Sequence, residues 1–321
     1  MLETELEKIV NGKIYSSSET VLCTLELLGK ILKQRRDPAF FMEVLEKILK
    51  SRPTSAMLQN AVRIITNNLI NANIQSYDDL VNSYENTRQY IVKKIYSDIE
   101  ESSKIASRRI TNNETILTNS YSIFVKKTIE KAFADGKSLK VYVTESRPTG
   151  EGIKFAAELS DRGIETYLIV DSAVRFFMKE VDKVLLSSEA ISANGAVVNK
   201  IGTSLIALAA HEARVRVYVV SSTLKFSPGT LIGELVEIPE IEISDYMPEG
   251  WDRLKALRPR SPLFDVTPPS FIDAIITEKG VIAPEFAIMM FRETFGWPAS
   301  IGGYQTDINE LREILNKIIK W

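Results

Sequence analysis

Four short segments collect hydroxyl, carboxylate and cationic side chains, each directly after an apolar run. The first is Thr118-Asn119-Ser120-Tyr121-Ser122. Its hydroxyls precede a helical stretch, where N-capping accounts for them. Ser120 as a nucleophile needs a base that its neighbours in sequence do not supply. The second runs from Thr144 through Glu145-Ser146-Arg147-Pro148 to Gly152. Gly150 and Gly152 open a helix whose free N–H groups suit an anion, with Arg147 able to clamp it. A tight turn explains the same glycines. A dinucleotide fingerprint is excluded because its third glycine would fall on Phe155, and no Gly-Lys-Ser/Thr of a Walker loop follows. The third segment runs from Ser187-Ser188-Glu189 through Asn194-Gly195 to Asn199-Lys200 and Gly202-Thr203. A lysine, an amide and a helix N-terminus together suit phosphate or carboxylate, the alternative being a solvated surface turn. Glu189, at a strand end, is placed for acid–base work. The fourth, Asp171-Ser172, reads as a helix cap.

Other chemistries have little to work with. Cys23 is the only cysteine and His211 the only histidine. Internal disulfides and cysteine-rich or multi-histidine metal sites are excluded, and any histidine-dependent triad must run through His211. Cys23 lies among leucines and reads as a small buried apolar residue. His211 ends a helix, where the dipole favours it. No metal or cofactor is expected. Forty basic against 42 acidic residues leave a net charge of -2, so no global field recruits nucleic acid or anionic lipid. The N-terminus lacks an apolar signal core, and no apolar run reaches the roughly 18 residues of a membrane span. A cytoplasmic location is the expectation.

The elements that must position these segments follow from periodicity. A length of 321 residues suits two domains. Residues 18–34 carry Val21, Leu25, Leu28 and Leu32 on one stripe. Asp37-Pro38 caps and opens a second helix. Ser51-Arg52-Pro53-Thr54-Ser55 breaks the pattern before a third, and Tyr77 to Ile105 reads as a long fourth. From about residue 113 short β-rich runs alternate with helices: Thr115–Leu117, Leu139–Val143, Glu165–Val170, Lys183–Leu186 and Val215–Val220, with helices over 121–134, 150–162, 172–180 and 201–213. That alternation implies βαβ units and a mainly parallel sheet. Leu263–Val266 and Ala274–Ile276 can add strands, and 284–295 and 308–320 read as closing helices. The predicted class is α/β, with a helical N-terminal domain (1–112) and a parallel-sheet domain (113–321). In such a sheet, ligands bind beyond the carboxyl ends of the strands, where the four segments fall.

Read in order, V-x-V-x-E-S-R-P at 141–148, Gly163-Ile164, D-S-A at 171–173, N-G-x-x-x-N-K-I-G-T at 194–203, F-D-V-T-P-P at 264–269 and I-T-E-x-G at 276–280 resemble one superfamily. It holds the alpha, beta and delta regulatory subunits of translation initiation factor 2B. It also holds the aldose–ketose isomerases of methylthioribose 1-phosphate and ribose 1,5-bisphosphate. Ser261 before Pro262 departs from the Asn usual in the isomerases. The resemblance implies a helical domain followed by a Rossmann-like domain. It implies ligand contacts from Arg52, Arg147, Glu189, Asn199 and Lys200. The isomerases' Cys and Asp correspond to Ser120 and Glu189, so no catalytic residue is expected and an alpha-like regulatory subunit is the favoured reading. Its implied partners are the alpha subunit of initiation factor 2 and a phosphorylated small molecule such as AMP or a ribose phosphate. The alternative is a ribose-1,5-bisphosphate isomerase with atypical catalytic residues. A homodimer covering apolar residues of 226–298 is also expected.

Overall fold

The computed structural model describes residues 2–14, 16–72, 74–241, 247, 249–254, 256–295 and 304–319. Five helices come first: α1 (Leu2–Val10), α2 (Ser17–Lys30), α3 (Pro38–Ser51), α4 (Ala56–Asn71) and α5 (Tyr77–Ser107). α3 starts as its sequence dictates, with the Phe40 N–H donating to Asp37 Oδ1 at 2.9 Å and Pro38 at the first turn. α5 is capped by Ser76, which accepts from the Asp79 N–H at 3.1 Å. Its stripe of Leu80, Tyr84, Ile91, Ile95 and Ile99 is buried. Cys23 is exposed, against expectation: the inward stripe of Val21, Leu25 and Leu28 turns position 23 to the other side of α2.

The sheet elements follow: β1 (Glu114–Thr118), α6 (Ile123–Ala134), β2 (Leu139–Thr144), α7 (Glu151–Ser160), β3 (Glu165–Ile169), α8 (Val174–Phe177), β4 (Lys183–Leu186), β5 (Ala190–Ile191), β6 (Val197–Lys200), α9 (Thr203–Ala213) and β7 (Arg216–Val220). β8 (Phe264–Thr267), β9 (Ala274–Thr277), β10 (Gly280–Ile282), α10 (Ala287–Phe295) and α11 (Tyr304–Ile319) complete them. Residue 320, the expected end of the closing helix, lies outside the described residues. Seven strands form one sheet in the order β10-β9-β7-β4-β1-β2-β3, parallel except for the β9–β10 hairpin. Side chains alternate across it. Ile116, Val141 and Val143 pack with α6 and α7 on one face, whereas Leu117, Tyr142 and Val184 pack with α9 on the other. Among the described residues no helix is long and apolar enough to cross a membrane.

Three features depart from the expected pattern. β5 and β6 were not expected, and with β8 they form a second, antiparallel sheet. The stretch 172–180 is one turn of α-helix flanked by 3₁₀ turns. α11 returns to the N-terminal helices, its Ile308, Leu311 and Leu315 joining the cluster built on α2–α5. Of the apolar residues expected at a partner interface, Phe226 is buried within the chain, whereas Ile232, Leu235, Leu254 and Leu257 are exposed. Positions 242–246, 248, 255 and 296–298 of that stretch lie outside the described residues.

Gly152 fixes the approach of α7 to β2. A Cβ there would lie 1.8 Å from the Thr144 carbonyl oxygen and 2.9 Å from Ser146 Oγ. Gly152→Ala must push the helix start away from the strand end, and is expected to destabilise the chain by about 1–3 kcal/mol. Urea denaturation reads this as a lower midpoint, and an unchanged midpoint would contradict the packing.

Candidate active site

The strand order reverses between β1 and β4, and the crevice beyond their carboxyl ends is where a doubly wound sheet takes ligands. A cavity of about 390 Å³ lies there, within the usual size of a small-molecule site. The loop after β1 supplies Asn119 and Ser120, the loop after β4 supplies Ser188 and Glu189, and β6 supplies Asn199 and Lys200. Arg52 reaches in from the end of α3, and Asn11 and Gly12 after α1 line the same space.

Ser120 sits at φ 61°, a left-handed backbone conformation rare for serine. Its N–H donates to Ser146 Oγ at 2.7 Å, and its own Oγ donates to Glu151 Oε1 at 2.7 Å. Glu151 is buried and also accepts from Lys200 Nζ at 2.9 Å. Thr149 donates to the second Glu151 oxygen, and Lys200 Nζ donates to Thr149 Oγ1 at 3.1 Å. The base that Ser120 lacks in its own segment is thus delivered from the head of α7.

Glu189 lies at the opposite end of the charge balance. Its backbone N–H donates to Val198 O at 2.8 Å, but among the described residues no hydrogen bond reaches its carboxylate. The carboxylate acts at a distance on two cations. Burial pulls the Arg52 guanidinium below its ordinary value while Glu189 raises it, and Arg52 Nη2 donates to Ile9 O at 3.3 Å. Lys225 is fully enclosed, its Nζ donating to Ser188 O at 2.5 Å. Burial pushes Lys225 down to about 8, against the pull of Glu189. Asn119 Nδ2 donates to Thr203 Oγ1 at 3.0 Å, and among the described residues its buried Oδ1 has no partner.

Arg52, Glu189, Asn199 and Lys200 are therefore brought together, with Ser120. Arg147 is not: it pairs with Glu145 at 3.1 Å and does not line the cavity. Asp171 does not cap the turn that follows it; its carboxylate accepts from the N–H groups of Ser146 and Arg147 at 2.9 and 2.7 Å. The expected anion site at the α9 N-terminus is also corrected. Asp265 of β8 already fills it, accepting from the N–H groups of Gly202 and Ser204 at 2.8 and 3.1 Å and from Ser204 Oγ at 2.8 Å. Sequence reasoning missed Glu151 and Lys225. The signal for Lys225 was available, because it follows β7 as Ser120 follows β1, and the strand-end rule applies equally to both.

The family model described as the Initiation factor 2 subunit family matches residues 14–284. Ribose 1,5-bisphosphate isomerase of Methanocaldococcus jannaschii is 41% identical over 250 residues, covering 76% of this chain and 77% of that protein. The enzyme of the same name from Archaeoglobus fulgidus is 38% identical over 294 residues, covering 91% and 92%. Among solved structures, the translation initiation factor eIF-2B of Pyrococcus horikoshii OT3 superposes with a TM-score of 0.77 at 29% identity, covering 89% of this chain and 98% of that one. The isomerase names overturn the regulatory-subunit reading drawn from Ser120 and Glu189, since relatives this similar over this much of the chain are enzymes. By the family match and these relatives together, the chain belongs to the Initiation factor 2 subunit family.

Proposed function

We propose that the chain is a sugar-phosphate aldose–ketose isomerase whose substrate is ribose 1,5-bisphosphate. One observation carries the reading. A single cavity holds the Glu189 carboxylate, free of hydrogen bonds among the described residues, together with the Ser120 hydroxyl bonded to Glu151. The names of the relatives, ribose 1,5-bisphosphate isomerase, support that choice of substrate.

The reaction defines what the groups must do. The C1–O4 bond of the ring breaks and the ring oxygen takes up a proton. The 2-hydroxyl gives up a proton, the hydrogen on C2 moves to C1, and C2 becomes a carbonyl, so product and substrate share one formula. One group must give a proton and another must take one. A serine hydroxyl is a poor acid by itself compared with a thiol. Bonded to Glu151, however, Ser120 can accept a proton from substrate while passing its own to Glu151 Oε1. Glu189 gives the other proton to the ring oxygen, so in this step it acts as a carboxylic acid and leaves as a carboxylate. Arg52 and Lys225 meet the phosphate charge with charge-assisted hydrogen bonds, and Lys200 holds Glu151 in register with Ser120.

The test is direct. Purified protein is mixed with ribose 1,5-bisphosphate and the ketose carbonyl is followed by carbon NMR. Turnover above roughly 1 per second is the expected result, within the ordinary enzyme range. Absence of ketose after many hours with protein and substrate at equal concentration would end the proposal.

A further inference from the structure

The turn that carries Lys225 is held from behind by groups that do not line the cavity. Thr223–Lys225 is a single 3₁₀ turn capped by Ser222, with the Lys225 N–H donating to Ser222 O at 2.9 Å. So short an element does not fix a side chain by itself. Ser222 Oγ donates to Asp98 Oδ2 of α5 at 2.6 Å. The Thr223 N–H donates to Glu278 Oε2 at 3.1 Å, and its hydroxyl donates to the other oxygen of the same carboxylate. Lys94 spans the two acids, 3.0 Å from Asp98 Oδ2 and 3.5 Å from Glu278 Oε1. From α4, Asn60 Nδ2 donates to the carbonyl oxygens of Leu224 and Phe226 at 2.9 and 2.8 Å.

This arrangement is costly. Asp98 is buried, and that burial with Glu278 beside it pushes Asp98 up to about 6. Two carboxylates around one lysine are more charge than α5 needs in order to pack. Both acids direct their oxygens at consecutive residues of one turn, and that turn delivers the enclosed ammonium of Lys225. Glu278 belongs to the I-T-E-x-G segment, which the cavity chemistry otherwise leaves without a role.

We infer that Asp98 and Glu278, bridged by Lys94, are positioning residues that set Lys225 in the cavity by clamping the Ser222–Thr223 hydroxyls and amide. This rests on the phosphosugar reading of the cavity, and the test separates the two. Affinity for inorganic phosphate is measured by calorimetry at pH 7 for the whole chain, for Asp98→Ala and for Glu278→Ala, each also in a Lys225→Met background. Thermal melting identifies the temperature range in which every variant is folded.

Each alanine variant is expected to lose about tenfold in affinity with Lys225 present and under twofold once Lys225 is Met, because coupled residues are not additive. Asp98→Asn keeps an acceptor for Ser222 and is expected to recover most of the loss. Equal losses in both backgrounds, or none with Lys225 present, would overturn the clamp. A parent chain that does not bind phosphate would instead overturn the cavity reading, and the clamp with it.

Discussion

Replacing Lys225 with Met is expected to stabilise the folded chain at pH 7 while weakening its hold on a phosphorylated ligand by roughly 10- to 150-fold, the loss of one charge-assisted hydrogen bond. The two effects share a cause. The enclosed ammonium has its pKa pushed down from 10.5 to about 8, so the fold opposes the charge that the ligand needs. The unfolded chain keeps that proton up to about pH 10.5, and the folded chain only up to about 8. Below pH 8 the full cost is present. Between those values unfolding takes up a proton, so the contribution of this group to stability rises with pH across that window. The cost is on the order of 3 kcal/mol, from which the orphaned Ser188 carbonyl takes back about 1–2 in the Met variant. A net gain of about 1–2 kcal/mol at pH 7 should raise the melting temperature by a few degrees. The advantage of the variant should shrink above pH 8, vanish near about pH 9 to 9.5 and reverse by about 10.5, where the lysine is neutral in both states and only the orphaned Ser188 carbonyl separates the two chains. In the parent chain, kcat/KM should fall as pH rises through about 8. Melting curves at pH 7 and 9.5 test the first statement. A variant less stable than its parent at pH 7 would remove burial as the source of the shift.

Glu189→Gln should lower kcat by roughly 10²–10⁴-fold, the usual worth of a positioned proton-transfer group, with little change in KM. The side chains are nearly the same shape, so packing is preserved and only the ability to exchange a proton is lost. Glu189 also raises the pKa of both Arg52 and Lys225. In the Gln variant Lys225 should therefore lose its proton at a pH below about 8, and the alkaline limb of phosphate binding should move to lower pH. Steady-state kinetics across pH 6 to 10 read both effects. If kcat held within about threefold, proton exchange would have to be assigned elsewhere, with the Ser120–Glu151 pair the next group to examine.

The parts of the molecule written in local spacing were legible without a structure. The N-terminal helices follow from apolar stripes and from caps such as Asp37-Pro38. β4 matches its expected bounds because a short apolar run between helices has few alternatives, and β1, β2, β3 and β7 fall within a residue or so of theirs. The strand-end rule placed Ser120 and Glu189 beyond the carboxyl ends of β1 and β4, where both line the cavity, but it selected Arg147 and Asp171 as well, which do not.

What the sequence could not settle depended on partners far along the chain. Asn199 and Lys200 lie on β6, a short strand that exists because β8, more than sixty residues later, pairs with it. Asp265 on that later strand fills the α9 N-terminus, and no local signal says that a distant carboxylate has taken the place of an anion. Ser120 lacked a base until α7 delivered Glu151 across 31 positions. The replaced catalytic types suggested a retired site when each residue was taken alone. By itself the sequence determined the helical and strand–helix periodicity, because periodicity and caps act within one turn or strand. Tertiary structure alone decided the charge balance of the cavity, the Ser120–Glu151–Lys200 chain and the enclosure of Lys225. Desolvation and hydrogen bonding depend on what surrounds an atom in three dimensions, and here those surroundings come from α3, α7, β4, β6 and β7 at once.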